Sequence, residues 1–540
     1  LLFNKLFKKK WVLNKYTLFT KNEILFPIIG LSVVGNILIL LNYFLPLKSF
    51  LVLVFLILFL SPNILEMKNL IRSKFSFRSF FYFVLLPSVL LISSFDVGFH
   101  YDAGYYHLNH QNWLRESNLI LGMVNIFWPF GMSSIYEYFS AILWIDESFI
   151  SLHFLTILFI HFFYLLVIDN LIDGNNKRLR NAAFFLIIFS LLDNFGYEGG
   201  RNGFIFIQGV GKQDVAVGVL FFFISFVTFL YIYEEKISKN DIFALSILTL
   251  FIFQIKVSGA FIVYLYLILF ITLLIKKSYN FKDLFYVHIP AIIFSAIWFT
   301  KSILTTGCLI FPLSFTCVNN FDWYVKGSTE IYEKITRTSS LAFIDYYRDF
   351  EKNYSDWVSD ILAIEFYRAV LLNFLISFFI LVLLKIVFFK PERNDKRFIY
   401  IVFPYVLINV VYLIFFGPIP RYSIGIMLFV ISLVSLYAQD FNFQIKNWTS
   451  YFLVLLSVIF IVRLGSYSEF LNNQNYKVFN PREEAKYIEV NENWVIPDEG
   501  DQCWINLECS MAKEYNPKID DVIFKEGTLF KTAERIFYLP

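Results

Sequence analysis

Two groups of residues in this chain could do chemistry together. The stretch FDVGFHYDAGYYHLNHQNW, residues 95–113, sets the carboxylates Asp96 and Asp102 beside His100, His107 and His110, with Tyr106 and Trp113 close by. Much further along, Arg201, Lys212, Lys256, Lys301 and Arg421 are isolated cations at the edges of apolar stretches. A carboxylate can act as general base on an acceptor hydroxyl. Cations neutralise a departing phosphate, Arg by a bidentate fork and Lys as a point charge. A centre that cleaves a lipid-linked phosphate needs both, held where donor and acceptor meet. His107 and His110, spaced i and i+3, could also hold a metal, but no clear carboxylate partner accompanies them and the metal stays unassigned.

Each residue also has a plainer reading. Asp96 can be a solvated residue at the end of a span, and His153 and His161 sit on apolar faces as satisfied core residues. The Tyr and Trp of 101–113 and 321–324 can form an interfacial aromatic belt. Lys212 and Asp214 can simply pair with each other. Arg421 is harder to dismiss: its loop, FGPIPRYS, is short, rich in Pro and on the side where short loops carry few cations.

The elements that must position these groups are membrane helices. Of 540 residues 58% are hydrophobic and only 16% charged, whereas soluble domains carry about a quarter charged residues. A bilayer core asks for roughly 20 apolar residues per helix. Continuous apolar runs predict spans near 24–44, 49–66, 79–95, 149–168, 182–194, 214–233, 241–255, 257–275, 284–302, 363–389, 398–416, 423–437 and 450–464, about thirteen in all. None alternates as a barrel strand would. The formal charge of +3 gives no footing for nucleic acid. The abundance of Phe and Tyr reads as an AT-rich genome as much as a functional demand. The basic first 23 residues lack a small-residue cleavage site, which argues against a cleaved signal peptide.

Lys and Arg in short loops set the orientation. Lys5 to Lys15, the loops at 67–78 and 169–181, and those near 235, 277 and 393 are all basic. If all face the cytoplasm, thirteen alternating spans close with the N-terminus inside. Residues 1–464 then form a multi-span membrane domain with outer loops 96–132, 195–213 and 303–362, and 465–540 an outer, periplasmic C-terminal segment. The cysteines fall on that outer side as two close pairs, Cys308 with Cys317 and Cys503 with Cys509. Disulfides in an oxidising compartment are the expected reading. Zinc is the rival, but no His lies near either pair and neither spacing is C-x-x-C.

The stretch from Asp102 to Ala141 resembles a motif of a family of largely uncharacterised bacterial polytopic membrane proteins: an Asp, then Tyr-His-Leu-Pro, a Trp, and a Gly- and Asn-containing segment. Asp102, Tyr106, His107, Leu108, Trp113, Gly122, Asn125, Gly131, Ser134 and Ala141 match. Asn109, Pro129 and Ser133 stand where the pattern has Pro, Arg and Asn. Lys212 to Asp214, Lys256 to Ser258, Thr306 to Pro312, Pro420 to Tyr422 and the Cys503 and Cys509 pair extend the likeness over most of the chain. That family in turn looks like the GT-C class of glycosyltransferases, multi-span enzymes that use polyprenyl-phosphate-linked sugars and keep an acid in the first long outer loop.

The resemblance implies an all-α polytopic fold of GT-C type in a bacterial inner membrane. Asp102 would be the base, with Asp96 as alternate and His107 beside it; Arg421, Lys256, Lys212, Arg201, Lys301, Tyr106 and Trp113 would meet phosphate or substrate. The donor would be a polyprenyl-phosphate sugar, entering as substrate rather than cofactor, and the acceptor an envelope glycan, lipid or protein. No cofactor is certain, and a divalent metal stays open. The rival readings are a polysaccharide polymerase or ligase, and a transporter, flippase or membrane subunit without catalysis.

Overall fold

The computed structural model describes residues 22–60, 77–144, 148–174, 176–195, 204–234, 237–318, 320–321, 324, 327–341, 354–389, 397–436, 486–491, 494–509, 523–525 and 536–538. Backbone in an apolar run finds no water to bond, so a helix that satisfies every N–H and C=O internally is the economical answer. The helices are α1 (Asn22–Asn42), α2 (Phe50–Leu60), α3 (Leu86–Val97, entered through a π-helical turn at Phe81–Leu85), α4 (Leu108–Glu116) and α5 (Ile135–Leu143). They continue with α6 (Leu152–Asp173), α7 (Lys177–Phe195), α8 (Asp214–Glu234), α9 (Lys239–Ile255), α10 (Ile262–Ile275) and α11 (Phe281–Thr306). After α12 (Ser328–Leu341) and α13 (Tyr354–Ala363) come α14 (Glu365–Phe388), α15 (Arg397–Phe416) and α16 (Ile424–Val434).

Among the described residues seven helical stretches are long and apolar enough to cross a membrane: Ile24–Asn42, Arg78–Phe95, Leu152–Asp173, Asp214–Tyr233, Val257–Ile275, Phe281–Thr306 and Glu365–Phe388. Tyr400–Phe415 and Pro420–Val434 are shorter apolar helices. This architecture fits an integral, polytopic, helical membrane protein. The apolar run at 450–464 lies outside the described residues.

The bundle is organised around α8. Its residues Asp214–Ile232 are all buried, as expected for a helix apolar on every side, and it packs against α6, α9, α10 and α16. Contact with α16 is closest where Gly218 faces Ile424 and Gly425 faces Phe221, because a Cβ on either glycine would intrude on its neighbour. Small residues let membrane helices approach in this way.

The two ends of the bundle differ chemically. At one end Arg78 lies 2.7 Å from Asp169, Arg178 lies 4.2 Å over the Tyr233 ring, and Lys239 pairs with Asp283 at 3.0 Å. Local chemistry fixes the helix starts there. Ser238 and Asp241 form a reciprocal capping box on α9, and the Asn280 side chain accepts the Asp283 N–H on α11. Asp214 marks the opposite end of α8. At 1.5 Å per residue the two ends are about 30 Å apart, the thickness of a bilayer core.

The stretches beyond that second end have a core of their own. Trp113, Phe127, Phe130, Phe311, Tyr332 and both disulfides, Cys308–Cys317 and Cys503–Cys509, share one apolar cluster. Among the described residues the C-terminal segment carries two small antiparallel sheets. β1 (Tyr487–Asn491) pairs with β2 (Trp494–Pro497), Tyr487 opposite Pro497, and β3 (Ile523–Lys525) pairs with β4 (Ile536–Tyr538).

Candidate functional site

Asp102 is delivered by backbone pairing between two segments distant in sequence. The His100 N–H donates to Val210 O at 2.9 Å and the Val210 N–H to Gly98 O at 3.0 Å. Gly211 then turns the chain at φ +94° hard against Ala103, a conformation and a closeness that favour glycine. The turn brings Lys212 Nζ onto Asp102 Oδ2 as a charge-assisted hydrogen bond. Asp102 itself opens a π-helical turn, Ala103–His107, that leads into α4; such turns are frequent at functional sites.

Electrostatics keep this carboxyl ionised. Burial would raise its pKa, but Lys212 and His107 more than offset that and hold it below the ordinary value. His100, with Nδ1 3.6 Å from Asp102 Oδ1, goes the other way. Burial first, and then the neighbouring Lys212 cation, push its pKa down to about 4. It is a neutral imidazole at pH 7, and Nδ1 accepts the Asp102 N–H at 3.1 Å.

Two positions beyond Lys212, Asp214 starts α8 and is buried. It is shared by two cations. Lys256 Nζ donates to Oδ1 at 2.5 Å, and Arg421 Nε stands 3.3 Å from Oδ2. Lys256 occupies the break between α9 and the 3-10 turn Val257–Phe261, in extended backbone at φ −157°. Arg421 lies in the 3-10 turn Pro420–Ser423 that opens α16. Tyr422 completes the group: Lys256 Nζ is 4.0 Å over its ring and the Arg421 guanidinium 5.3 Å. These residues, with Ser258 and Asn409, line a small, partly open cleft.

Beside Asp102 lies a second, fully buried network. Glu137, on α5 and 2% exposed, accepts from the His107 ring, from Gln111 Nε2 at 2.8 Å and from Gln213 Nε2 at 3.2 Å. Burial would raise its pKa, yet His107 holds it below the ordinary carboxylate range. The network joins α4 to the segment that carries Lys212, so both partners of the Asp102–Lys212 pair are braced from one side chain.

Of the residues singled out by sequence, Asp102, Lys212, Lys256 and Arg421 come together, with His107 and Tyr106 alongside. Tyr106 packs on His107 with ring centroids 4.1 Å apart, and burial, followed by the nearby Asp102 and Glu137 charges, pushes its phenol well above the ordinary value. Lys301 takes a separate position, buried, donating to Ser133 O at 3.2 Å and lying 4.1 Å over the Trp298 ring. Trp113 is buried in the apolar cluster of the outer stretches. His110 stacks on Phe130 at 5.2 Å, and burial lowers its pKa to about 3. Among the described residues no three of His, Cys, Asp and Glu gather as a metal site. The Asp96 side chain and Arg201 lie outside the described residues, as does much of 321–324.

Lys212 and Asp214 do not pair with each other: Lys212 serves Asp102, and Asp214 serves Lys256 and Arg421. Glu137 was missed by sequence reasoning, and Tyr422 was noted only as part of the Pro420 to Tyr422 likeness. Glu137 had a signal, being the lone charge in the apolar helix IYEYFSAIL, since an unpaired carboxylate is too costly to bury.

A family model described as Domain of unknown function (DUF8201) matches residues 1–428, a stretch that takes in every residue of the cluster and ends before the C-terminal segment. No curated protein and no solved structure matches the chain.

Proposed function

The chain belongs to the family described as Domain of unknown function (DUF8201), and from its geometry we propose that it is a membrane glycosyltransferase of GT-C type, moving a sugar from a polyprenyl-phosphate donor to an envelope glycan, lipid or protein. The observation that carries this reading is the gathering of Asp102, Lys212, Asp214, Lys256 and Arg421, drawn from four separate stretches, at one end of the bundle beside a partly open cleft. Three cations face two carboxylates there, so the cluster retains one positive charge for an anionic ligand. A net positive charge of this kind attracts phosphate.

In the proposed reaction the Asp102 carboxylate takes the proton of the acceptor hydroxyl as that oxygen bonds to the anomeric carbon. The bond from that carbon to the phosphate oxygen breaks, and its electron pair leaves with the polyprenyl phosphate. Lys256 and Arg421 hold the departing charge, and Lys212 keeps Asp102 ionised and ready to accept the proton. Direct attack inverts the anomeric centre. The orientation that goes with this reading has about thirteen spans in a bacterial inner membrane, the N-terminus cytoplasmic, and the Asp102 end and C-terminal segment periplasmic. The chemical difference between the two ends of the bundle supports it.

The test is lipid-linked glycan analysis of a strain lacking the gene, complemented with the wild type, Asp102→Asn or Arg421→Ala. The proposal expects one missing sugar, restored by the wild type and by neither variant. Full restoration by both variants removes the catalytic reading. Loss of long-chain polymer with every sugar still present replaces it with a polymerase or ligase.

A further inference from the structure

The disulfide loop of the C-terminal segment is fastened to the turn that carries Asp102. The Trp504 N–H donates to Gly104 O at 2.8 Å, inside the π turn Ala103–His107. From α4, Asn112 Nδ2 donates to Ile505 O at 2.8 Å and Asn109 Nδ2 to Asn506 O. Before the turn, Tyr101 donates its hydroxyl proton to Asp501, and its carbonyl accepts from Gln502 Nε2 at 3.3 Å. Trp504 and Ile505 pack against the small apolar group that contains Ala103, Leu108 and Val210. A side chain on Gly104 would run into Gln502 and Trp504.

The loop is also tied within its own segment. Cys503 and Cys509 are bonded across it, the Tyr487 hydroxyl on β1 donates to Cys503 O at 3.2 Å, and the Val495 N–H on β2 donates to Glu508 O at 2.9 Å. The contacts between loop and turn run from Tyr101 to Asn112 on one side and from Asp501 to Asn506 on the other. Asp102 is bracketed by them but makes none of them.

We propose that the disulfide-closed loop Cys503–Cys509 is a positioning element for Asp102: it clamps the π turn from outside while Lys212 and Glu137 hold it from within. Opening the disulfide lets residues 501–506 spread and releases the turn, so the oxidation state of this one cystine sets how well the carboxylate is aimed. Trp504, Asn109 and Asn112 are positioning residues that touch no part of the Asp102 side chain. The consequence for sugar transfer rests on the function proposed above; the clamp itself does not.

The experiment is hydrogen exchange on the full chain in lipid nanodiscs, comparing wild type with the double variant Cys503→Ser/Cys509→Ser. Cys308→Ser/Cys317→Ser serves as the control for loss of a disulfide as such. Asn112→Ala and Gly104→Val open the same clamp with both disulfides intact, should the cysteine variant fail to fold. The expected result is exchange at least about tenfold faster across 103–112, what one net hydrogen bond of ordinary strength controls. Protection of α8 and α16 should be unchanged, and the control should show no change at 103–112. Transfer assayed on the same samples should lose kcat with KM for the donor unchanged. Unaltered protection at 103–112 in the loop variants overturns the proposal. If wild type transfers no sugar, the proposed function falls while the exchange result still decides the clamp.

Discussion

Lys256 Nζ lies 2.5 Å from Asp214 Oδ1 across 42 positions of sequence, joining the break after one buried helix to the first residue of another. Arg421 shares the same carboxylate, so Asp214→Asn would leave two cations facing each other with their anion gone. The two cations are partly solvated, so the loss is smaller than for a fully buried pair, but the melting temperature of the purified protein should fall. Inorganic phosphate should return part of that loss in the variant while shifting wild type less, because an anion can then occupy the vacated position. A variant whose melting temperature is indifferent to phosphate would mean that these cations do not form an anion site.

The Asp102–Lys212 pair makes a prediction in pH. Asp102 titrates below the ordinary carboxylate value because Lys212 and His107 outweigh burial. Its contribution to stability is therefore present above the unfolded value of about 3.9 and is lost as pH falls through the lower folded one. Lys212→Met removes the principal cation and leaves burial to dominate, so the carboxyl must then titrate higher than in wild type. The acidic limb of the pH–rate profile for transfer should move up. A limb that stays in place would show that Asp102 is not the group being titrated.

How much of this was legible in the sequence depends on range. The helices follow from local composition, because a run apolar on every side has one way to satisfy its backbone in lipid. Asp102, Lys212, Lys256 and Arg421 were legible as charges out of place at the edges of such runs. Their pairing was not, since it depends on Gly211 turning Lys212 back toward Asp102 and on two turns, at Lys256 and Arg421, meeting over Asp214. Trp113 read as a substrate contact because sequence gives residue type without facing; its ring belongs to the core that the outer stretches build. The two cysteine pairs were readable from proximity alone, but nothing in their spacing indicated that one would lie against the Asp102 turn.

Glu137 should prove structural before it proves catalytic. It is buried and accepts from His107, Gln111 and Gln213. Glu137→Gln keeps the shape but turns one acceptor into a donor and removes the charge that faces His107. Hydrogen bonds to charged groups contribute about 1.5–3 kcal/mol each, so a loss of that order is expected in thermal or denaturant unfolding. Combined with Lys212→Met the two losses should not add, because Gln213 ties the network to the Lys212 segment. Simple additivity in a double-mutant cycle would separate the network from the Asp102 pair.

The seam between α8 and α16 gives a test of what holds the cationic cluster together. Gly218 and Gly425 lie where a Cβ would run into Ile424 and Phe221, and Asp214 and Arg421 sit at the starts of those two helices or beside them. Overpacking such a contact costs about 1–3 kcal/mol. Here it should also pry the helix ends apart and lengthen the 3.3 Å approach of Arg421 to Asp214. Gly30 on α1 is the control, since nothing lies within 4 Å of a Cβ built there. Alanine is the better helix former by roughly 1 kcal/mol, so Gly30→Ala should leave the melting temperature equal or higher, whereas Gly218→Val and Gly425→Val should lower it. The same two variants should weaken the phosphate-induced rise in melting temperature, because the anion site needs both helix ends in register. If they melt early yet respond to phosphate as wild type does, the cations are held by their own turns and not by the helix seam.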